Sequence, residues 1–129
     1  MGKKVLIADK SLYNRMVLRD ILITHGFSVV EAATSEAAIE LFKQSQPDLV
    51  TVDATMHNID GTSPIRDIML MDPHARVMLC GTRGQRRLVV EAMAMGAEGV
   101  LLKPFNERQV VRAIHEASGA PPSSGPIQM

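Results

Sequence analysis

Short, continuous apolar runs alternate along the chain with longer stretches whose apolar residues recur at helical spacing. Val5, Leu6, Ile7 and Ala8 form the first run, which stops at Asp9. A run of this kind, with no polar alternation, predicts a strand buried on both faces. Ser11 follows as a candidate N-cap, and Leu12, Val17, Leu18, Ile21 and Leu22 then fall on one helical face up to Gly26, a C-terminal stop. Residues 27–30 predict a second strand. Ser35 is the expected cap of a second helix carrying Ala38, Ile39, Leu41 and Phe42, which must end before Pro47. Leu49, Val50, Thr51 and Val52 predict a third buried strand that delivers Asp53. A helix with Pro64 in its first turn carries Ile65, Ile68, Met69 and Met71 and stops before Pro73. Residues 76–80 predict the fourth strand, 86–95 the fourth helix with Gly96 at its end, and 99–102 the fifth strand. Val110, Val111 and Ile114 give one face to a last helix.

Strand and helix thus alternate five times with short loops. That pattern predicts an α/β fold: a parallel sheet with helices on both faces, doubly wound, in the strand order 2-1-3-4-5. From Ser118 the composition turns to Ser, Gly, Ala and Pro. The expectation is a domain over residues 1–117 and a disordered tail or the start of a linker over 118–129.

Composition narrows the function. A chain of 129 residues fits one domain with its own core, supplied by an apolar fraction of 46%. Trp is absent and Tyr occurs once, which argues against a cofactor held by aromatic stacking. Lys+Arg and Asp+Glu are both 14, so the domain as a whole lacks the charge for nucleic-acid or polybasic membrane binding. The apolar run before Asp9 is too short for a signal-peptide core or a membrane span, so a cytoplasmic location is expected. The lone cysteine, Cys80, lies in the fourth apolar run and is expected to be core filler rather than a nucleophile.

Ligands of open parallel sheets bind beyond the carboxyl ends of the strands, near the point where strand order reverses. There this chain places Asp9 and Lys10 after the first strand, Asp53 at the end of the third, Gly81 and Thr82 after the fourth, and Lys103 after the fifth. Two aspartates and two lysines expected to converge from three strands point to a working site. Lys103–Pro104, at the end of a buried strand, is also a candidate cis peptide.

These stretches carry a resemblance. Residues 5–9, residues 47–53 with Asp60 and Gly61 downstream, residues 96–99, and Lys103–Pro104–Phe105 together resemble a CheY-like response-regulator receiver domain of flavodoxin-like fold. The resemblance implies that Asp53 is the phosphoacceptor, that Lys103 bridges to the phosphoryl group, and that Mg²⁺ is held by Asp9, Asp53 and the backbone carbonyl of Thr55. It implies a sensor histidine kinase or phosphotransfer protein upstream, and a protein target docking on the face of the fourth and fifth helices. The chemistry suits the residue types: a carboxylate can accept a phosphoryl group as an acyl phosphate, and a cation offsets the charge spread over the transferring group. Mg²⁺ asks for oxygen ligands in octahedral geometry.

Measured against that pattern, the chain departs at the positions that run the switch. The second acid after the first strand is Lys10, so the site residues Asp9, Asp53, Lys10 and Lys103 sum to zero where the family carries net negative charge. Two unit charges about 5 Å apart interact by roughly 3 kcal/mol at an effective dielectric of about 20. A divalent cation beside Lys10 doubles that as repulsion, so Mg²⁺ binding is expected to be weak. The hydroxyl expected at the end of the fourth strand falls on Gly81, with Thr82 one residue late. The aromatic switch residue of the fifth strand falls on Val100, and the loop proline after the phosphoacceptor on His57, which has no second histidine nearby in sequence and is expected to be solvated. The expectation is a receiver with impaired Mg²⁺-dependent phosphorylation, or a phosphorylation-independent pseudo-receiver acting as an interaction module in which Lys10 pairs with Asp53 in place of the metal.

Arg83, Arg86 and Arg87 cluster at the start of the fourth helix, where basic charge opposes the helix dipole. They are either a solvated face or a docking patch for an acidic partner, and Met93 and Met95 lie near that face as adaptable contacts. A flavodoxin-type cofactor carrier would need a hydroxyl- and glycine-rich loop after the first strand, which residues 9–13 do not supply. A phosphatase or phosphomutase with an Asp-x-Asp nucleophile motif is excluded by Thr55.

Overall fold

The computed structural model describes residues 3–117, so the expected tail over 118–129 lies outside the described residues. Its elements run β1 (Lys4–Ala8), α1 (Leu12–Thr24), β2 (Ser28–Ala32), α2 (Ser35–Ser45), β3 (Leu49–Asp53), α3 (Pro64–Met71), β4 (Val77–Gly81), α4 (Arg86–Met95), β5 (Gly99–Leu102) and α5 (Glu107–Ala117). A 3-10 turn, Arg83–Gln85, leads into α4. All strand pairings are parallel and the order is β2-β1-β3-β4-β5, as the alternation of runs predicts.

Period-two alternation divides the strands between two cores. Leu6, Ala8, Val50, Val52, Val77 and Leu79 face one side, where Ala38 of α2, Ile65 and Ile68 of α3 and Ala92 of α4 cover them. Val5, Ile7, Leu49, Met78, Cys80 and Leu101 face the other, under Leu18 and Leu22 of α1 and Val110 and Ile114 of α5. Both faces of the sheet are therefore dry, which is why its strands read as unbroken apolar runs. Cys80 sits in the second core, and burial pushes its thiol up to about 12, so it stays protonated at neutral pH.

Several boundaries moved from their sequence-based positions. Ser11 caps α1 by accepting from the Asn14 N–H. At α2, however, the cap is Thr34, whose hydroxyl accepts from the Ala37 N–H, while Ser35 is the first helical residue and donates its hydroxyl to Asn58 Oδ1. Either hydroxyl residue suits a cap. Thr34 takes the extended backbone the position needs, and Ser35 is buried against the β3–α3 loop. β2 begins one residue later than expected because the Phe27 N–H is taken by Leu22 O of the preceding helix. It extends to Ala32 because Glu31 and Ala32 still pair with Ile7 and Ala8.

Candidate functional site

Three strand ends converge. Asp9 follows β1, its N–H bonded to Ala32 O; Asp53 is the last residue of β3; Lys103 follows β5, its N–H bonded to Gly81 O. These backbone bonds continue the ladder one step past the strands, so all three side chains are launched from fixed positions. The Lys103–Pro104 peptide is cis, as anticipated. The Lys103 ammonium bridges the two acids: it donates to Asp9 Oδ2 at 2.8 Å and to Asp53 Oδ1. Asp9 and Asp53 are both buried.

The remaining carboxylate oxygens are also engaged. Asp9 Oδ1 accepts from the Ser11 N–H at 2.9 Å, and the Asp9 carbonyl accepts from Arg15 Nη1 at 2.6 Å. Arg15 is itself paired with Glu31 of β2 at 3.0 Å. Asp53 Oδ2 accepts from the Thr55 N–H at 3.0 Å and from the Thr55 hydroxyl. Burial pushes the Asp53 carboxyl up, but the bonds from Lys103 and Thr55 outweigh it and hold it below the usual carboxylate range. Burial likewise pulls Lys103 down, and its bonds to Asp53 and Asp9 overcome this, leaving it raised. At neutral pH Asp53 is a carboxylate and Lys103 an ammonium.

Lys10 is the main correction. It does not pair with Asp53: its side chain is exposed and makes no hydrogen bond or ion pair among the described residues. The turn closed by Asp9 Oδ1 on the Ser11 N–H leaves the intervening residue on the outside. Lys103 alone holds the two acids, and the buried cluster carries one net negative charge rather than none.

His57 is exposed, as expected, yet it has a partner. Its Nδ1 lies 2.7 Å from the Thr55 carbonyl oxygen, and since a carbonyl can only accept, the Nδ1 proton is the donor. The oxygens that the resemblance assigned to Mg²⁺ each accept a hydrogen bond, Asp9 and Asp53 from Lys103 and the Thr55 carbonyl from His57, and each keeps a further lone pair. With Lys10 in place of the second acid, these residues do not fit a full set of oxygen ligands for the ion. Among the described residues no cluster of three or more His, Cys, Asp or Glu is arranged to hold a metal.

On the β4–β5 side, Gly81 ends its strand buried, and a Cβ there would lie 2.9 Å from Gln85 Oε1 and 3.4 Å from Ala54 Cβ. Thr82 lies beyond the strand and is exposed, with its N–H donated to Gln85 Oε1 at 2.9 Å. Val100 is half-buried beside a cavity of about 220 Å³, lined also by Leu102, Asn106, Gln109 and Val110. Arg83 and Arg86 are exposed with no ion pair among the described residues, while Arg87 reaches Glu91 at 3.6 Å. Val90 and Met93 of α4 and Leu102 of β5 are exposed. Thr55, Gln85 and His57 acquire partners that their sequence positions did not announce. The one available signal was that each lies within a few residues of a strand end.

A five-stranded parallel sheet of order 2-1-3-4-5, with an aspartate closing its central strand, is the architecture of a two-component signalling receiver. The chain belongs to the response regulator receiver domain family, whose family model matches residues 5–115. It is 40% identical to the chemotaxis protein CheY of Thermotoga maritima over 92% of this chain and 99% of the relative. It is 38% identical to the chemotaxis protein CheY of Bacillus subtilis over 90% and 98%. Among solved structures, Vibrio cholerae chemotaxis protein CheY4 superposes with a TM-score of 0.82 at 23% identity, covering 91% of this chain and 99% of that one, a likeness of fold. Receiver domains of this CheY-like kind work with histidine kinases or phosphotransfer proteins, generally bind Mg²⁺ for phosphorylation, and are not in general catalytic enzymes. Among the described residues no helix is long and apolar enough to cross a membrane.

Proposed function

We propose that Asp53 is the phosphoacceptor of this receiver and that weak Mg²⁺ binding impairs its Mg²⁺-dependent phosphorylation. The observation that carries the reading is the Lys103 bridge, which keeps a buried carboxylate ionised at the end of the central strand. In the transfer, an Asp53 carboxylate oxygen attacks the phosphorus of the donor. The bond from phosphorus to the leaving group breaks, to nitrogen in a phosphohistidine or to oxygen in an acyl phosphate. The leaving group departs with that electron pair, and the phosphoryl group remains as an acyl phosphate on Asp53. Lys103, already in contact, offsets part of the charge on the transferring group.

Weak metal binding rests on Lys10, which stands where a second acid would supply an oxygen ligand. Because Lys10 is exposed, its repulsion is screened by solvent, and the lost ligand counts for more than the added charge. The output surface in this reading is the α4–α5 face, where Arg83 and Arg86 beside Val90 and Met93 suit a partner segment that mixes acidic and apolar side chains. A second reading, a pseudo-receiver that docks without phosphate, is favoured by one observation: the Lys103 ammonium bridges both acids.

The test is incubation of the full chain with acetyl phosphate, followed by intact mass. One added phosphate in wild type, absent from Asp53→Asn, supports the reading. No addition at any Mg²⁺ concentration overturns it in favour of the pseudo-receiver.

A further inference from the structure

The two oxygens of the Asp53 carboxylate are not equivalent. Oδ2 accepts twice from one residue, from the Thr55 N–H at 3.0 Å and from the Thr55 hydroxyl. Oδ1 accepts from Lys103 alone among the described residues. A carboxylate oxygen has about two lone-pair positions, so Oδ2 is filled and Oδ1 keeps one open. The turn that brings the Thr55 N–H onto Asp53 needs no hydroxyl, because an aspartate side chain closes such a turn on the N–H two residues on by itself. The hydroxyl is a second donor added to the same oxygen, and both bonds are charge-assisted. Thr55 is exposed while Asp53 is buried, so the hydroxyl reaches inward from a residue that the core does not hold.

We propose that Thr55 is a catalytic residue whose hydroxyl shortens the life of phosphorylated Asp53 by stabilising the carboxylate as it leaves. This rests on the reading of Asp53 given above. The open lone pair makes Oδ1 the oxygen that carries the phosphoryl group, beside Lys103, and leaves Oδ2 as the carbonyl oxygen of the acyl phosphate, held by Thr55. In hydrolysis a water oxygen attacks phosphorus and the P–Oδ1 bond breaks. Its electron pair returns to Oδ1, and inorganic phosphate departs carrying the water oxygen, with the proton of that water passing to phosphate or solvent. Negative charge then spreads back over Oδ2. A hydroxyl bonds a charged oxygen more strongly than the neutral carbonyl that precedes it, so the Thr55 bond strengthens along the reaction and lowers its barrier. The same difference favours the free carboxylate at equilibrium.

The experiment labels the full chain with acetyl phosphate, exchanges it into donor-free buffer at one fixed Mg²⁺ concentration, and follows the added phosphate by intact mass, with Asp53→Asn as blank. Thr55→Val keeps the shape and the backbone N–H but removes the hydroxyl, and it should lengthen the half-life roughly fivefold. Thr55→Ser, which restores the hydroxyl, should return the half-life to within about twofold of wild type. A merely structural role predicts the opposite sign, since a loosened loop admits water and shortens the half-life. An unchanged or shorter half-life in Thr55→Val, or an equally long one in Thr55→Ser, overturns the Thr55 role alone and leaves Asp53 the labelled residue. Should wild type and Lys10→Asp both match the Asp53→Asn blank at every Mg²⁺ concentration, the phosphoacceptor reading falls, and this inference with it.

Discussion

The two halves of the strand-end surface are built differently. At the ends of β1 and β3, every carboxylate oxygen of Asp9 and Asp53 is bonded, and the two acids share one buried ammonium. Around β4 and β5 away from Lys103 the packing is lighter: Gly81 is buried but has no side chain, Val100 is half-buried beside a cavity, and Thr82 is exposed. The first half is over-determined and the second is permissive. In the proposed reading, the half that would receive a phosphoryl group keeps its acceptor and its lysine but not its second acid, while the half that would relay its arrival has neither the hydroxyl nor the ring. The 3-10 turn Arg83–Gln85 joins the end of β4 to the basic start of α4.

Perturbing the over-determined half should have the largest effect. Lys103→Met leaves two buried acids facing each other without a cation. It should cost about 3 kcal/mol in urea unfolding at pH 7, since removing one partner strands an uncompensated buried charge. A loss below about 1 kcal/mol would mean that the acids simply take up a proton or water, and that Lys103 does not organise the site.

Acid should act on the same half. Because Asp53 titrates below its ordinary value of 3.8 when folded, it binds fewer protons than in the unfolded chain. Its contribution is present above that value and is lost as pH falls through the lower folded one. Lys103, raised above 10.5, contributes below that pH and loses its contribution only as pH rises through the raised folded value. Thermal melts should therefore show the cluster's contribution flat from about pH 5 to 9, with wild type falling more steeply than Asp53→Asn below about pH 4. Parallel acid limbs would show that Asp53 is not held ionised.

In the permissive half, effects on stability should be small. Val100→Tyr adds a ring beside an open cavity and should change unfolding free energy by less than about 1 kcal/mol, because no close-packed neighbour must give way. Arg83→Glu with Arg86→Glu should shift it by less than about 0.5 kcal/mol, as befits exposed side chains without partners. A large loss in either would show that this side is as tightly specified as the other.

The contrast also explains what could be read from the sequence. Strand ends are legible because a doubly buried strand must be an apolar run, and the first polar residue after it marks the sheet's carboxyl edge. Asp9, Asp53 and Lys103 were found in that way. Side chains on loops were not legible. Lys10 was expected to face Asp53, yet the turn made by Asp9 Oδ1 on the Ser11 N–H leaves Lys10 exposed. Gln85 and His57 reach their partners through backbone turns that leave no periodic trace. The cap of α2 was misplaced by one residue because Thr34 and Ser35 are chemically equivalent candidates, and only the backbone and the Asn58 contact separate them.

The central claim is a working acceptor, Asp53, with a weakened affinity for Mg²⁺. Its most direct test is the Mg²⁺ dependence of acetyl-phosphate labelling at Asp53, in wild type and in Lys10→Asp. The account predicts labelling of wild type that rises only at high Mg²⁺. It further predicts that Lys10→Asp, which restores an oxygen ligand and removes a positive charge, lowers the half-maximal Mg²⁺ concentration by about tenfold or more. Labelling that saturates at the same low Mg²⁺ in both proteins would contradict it.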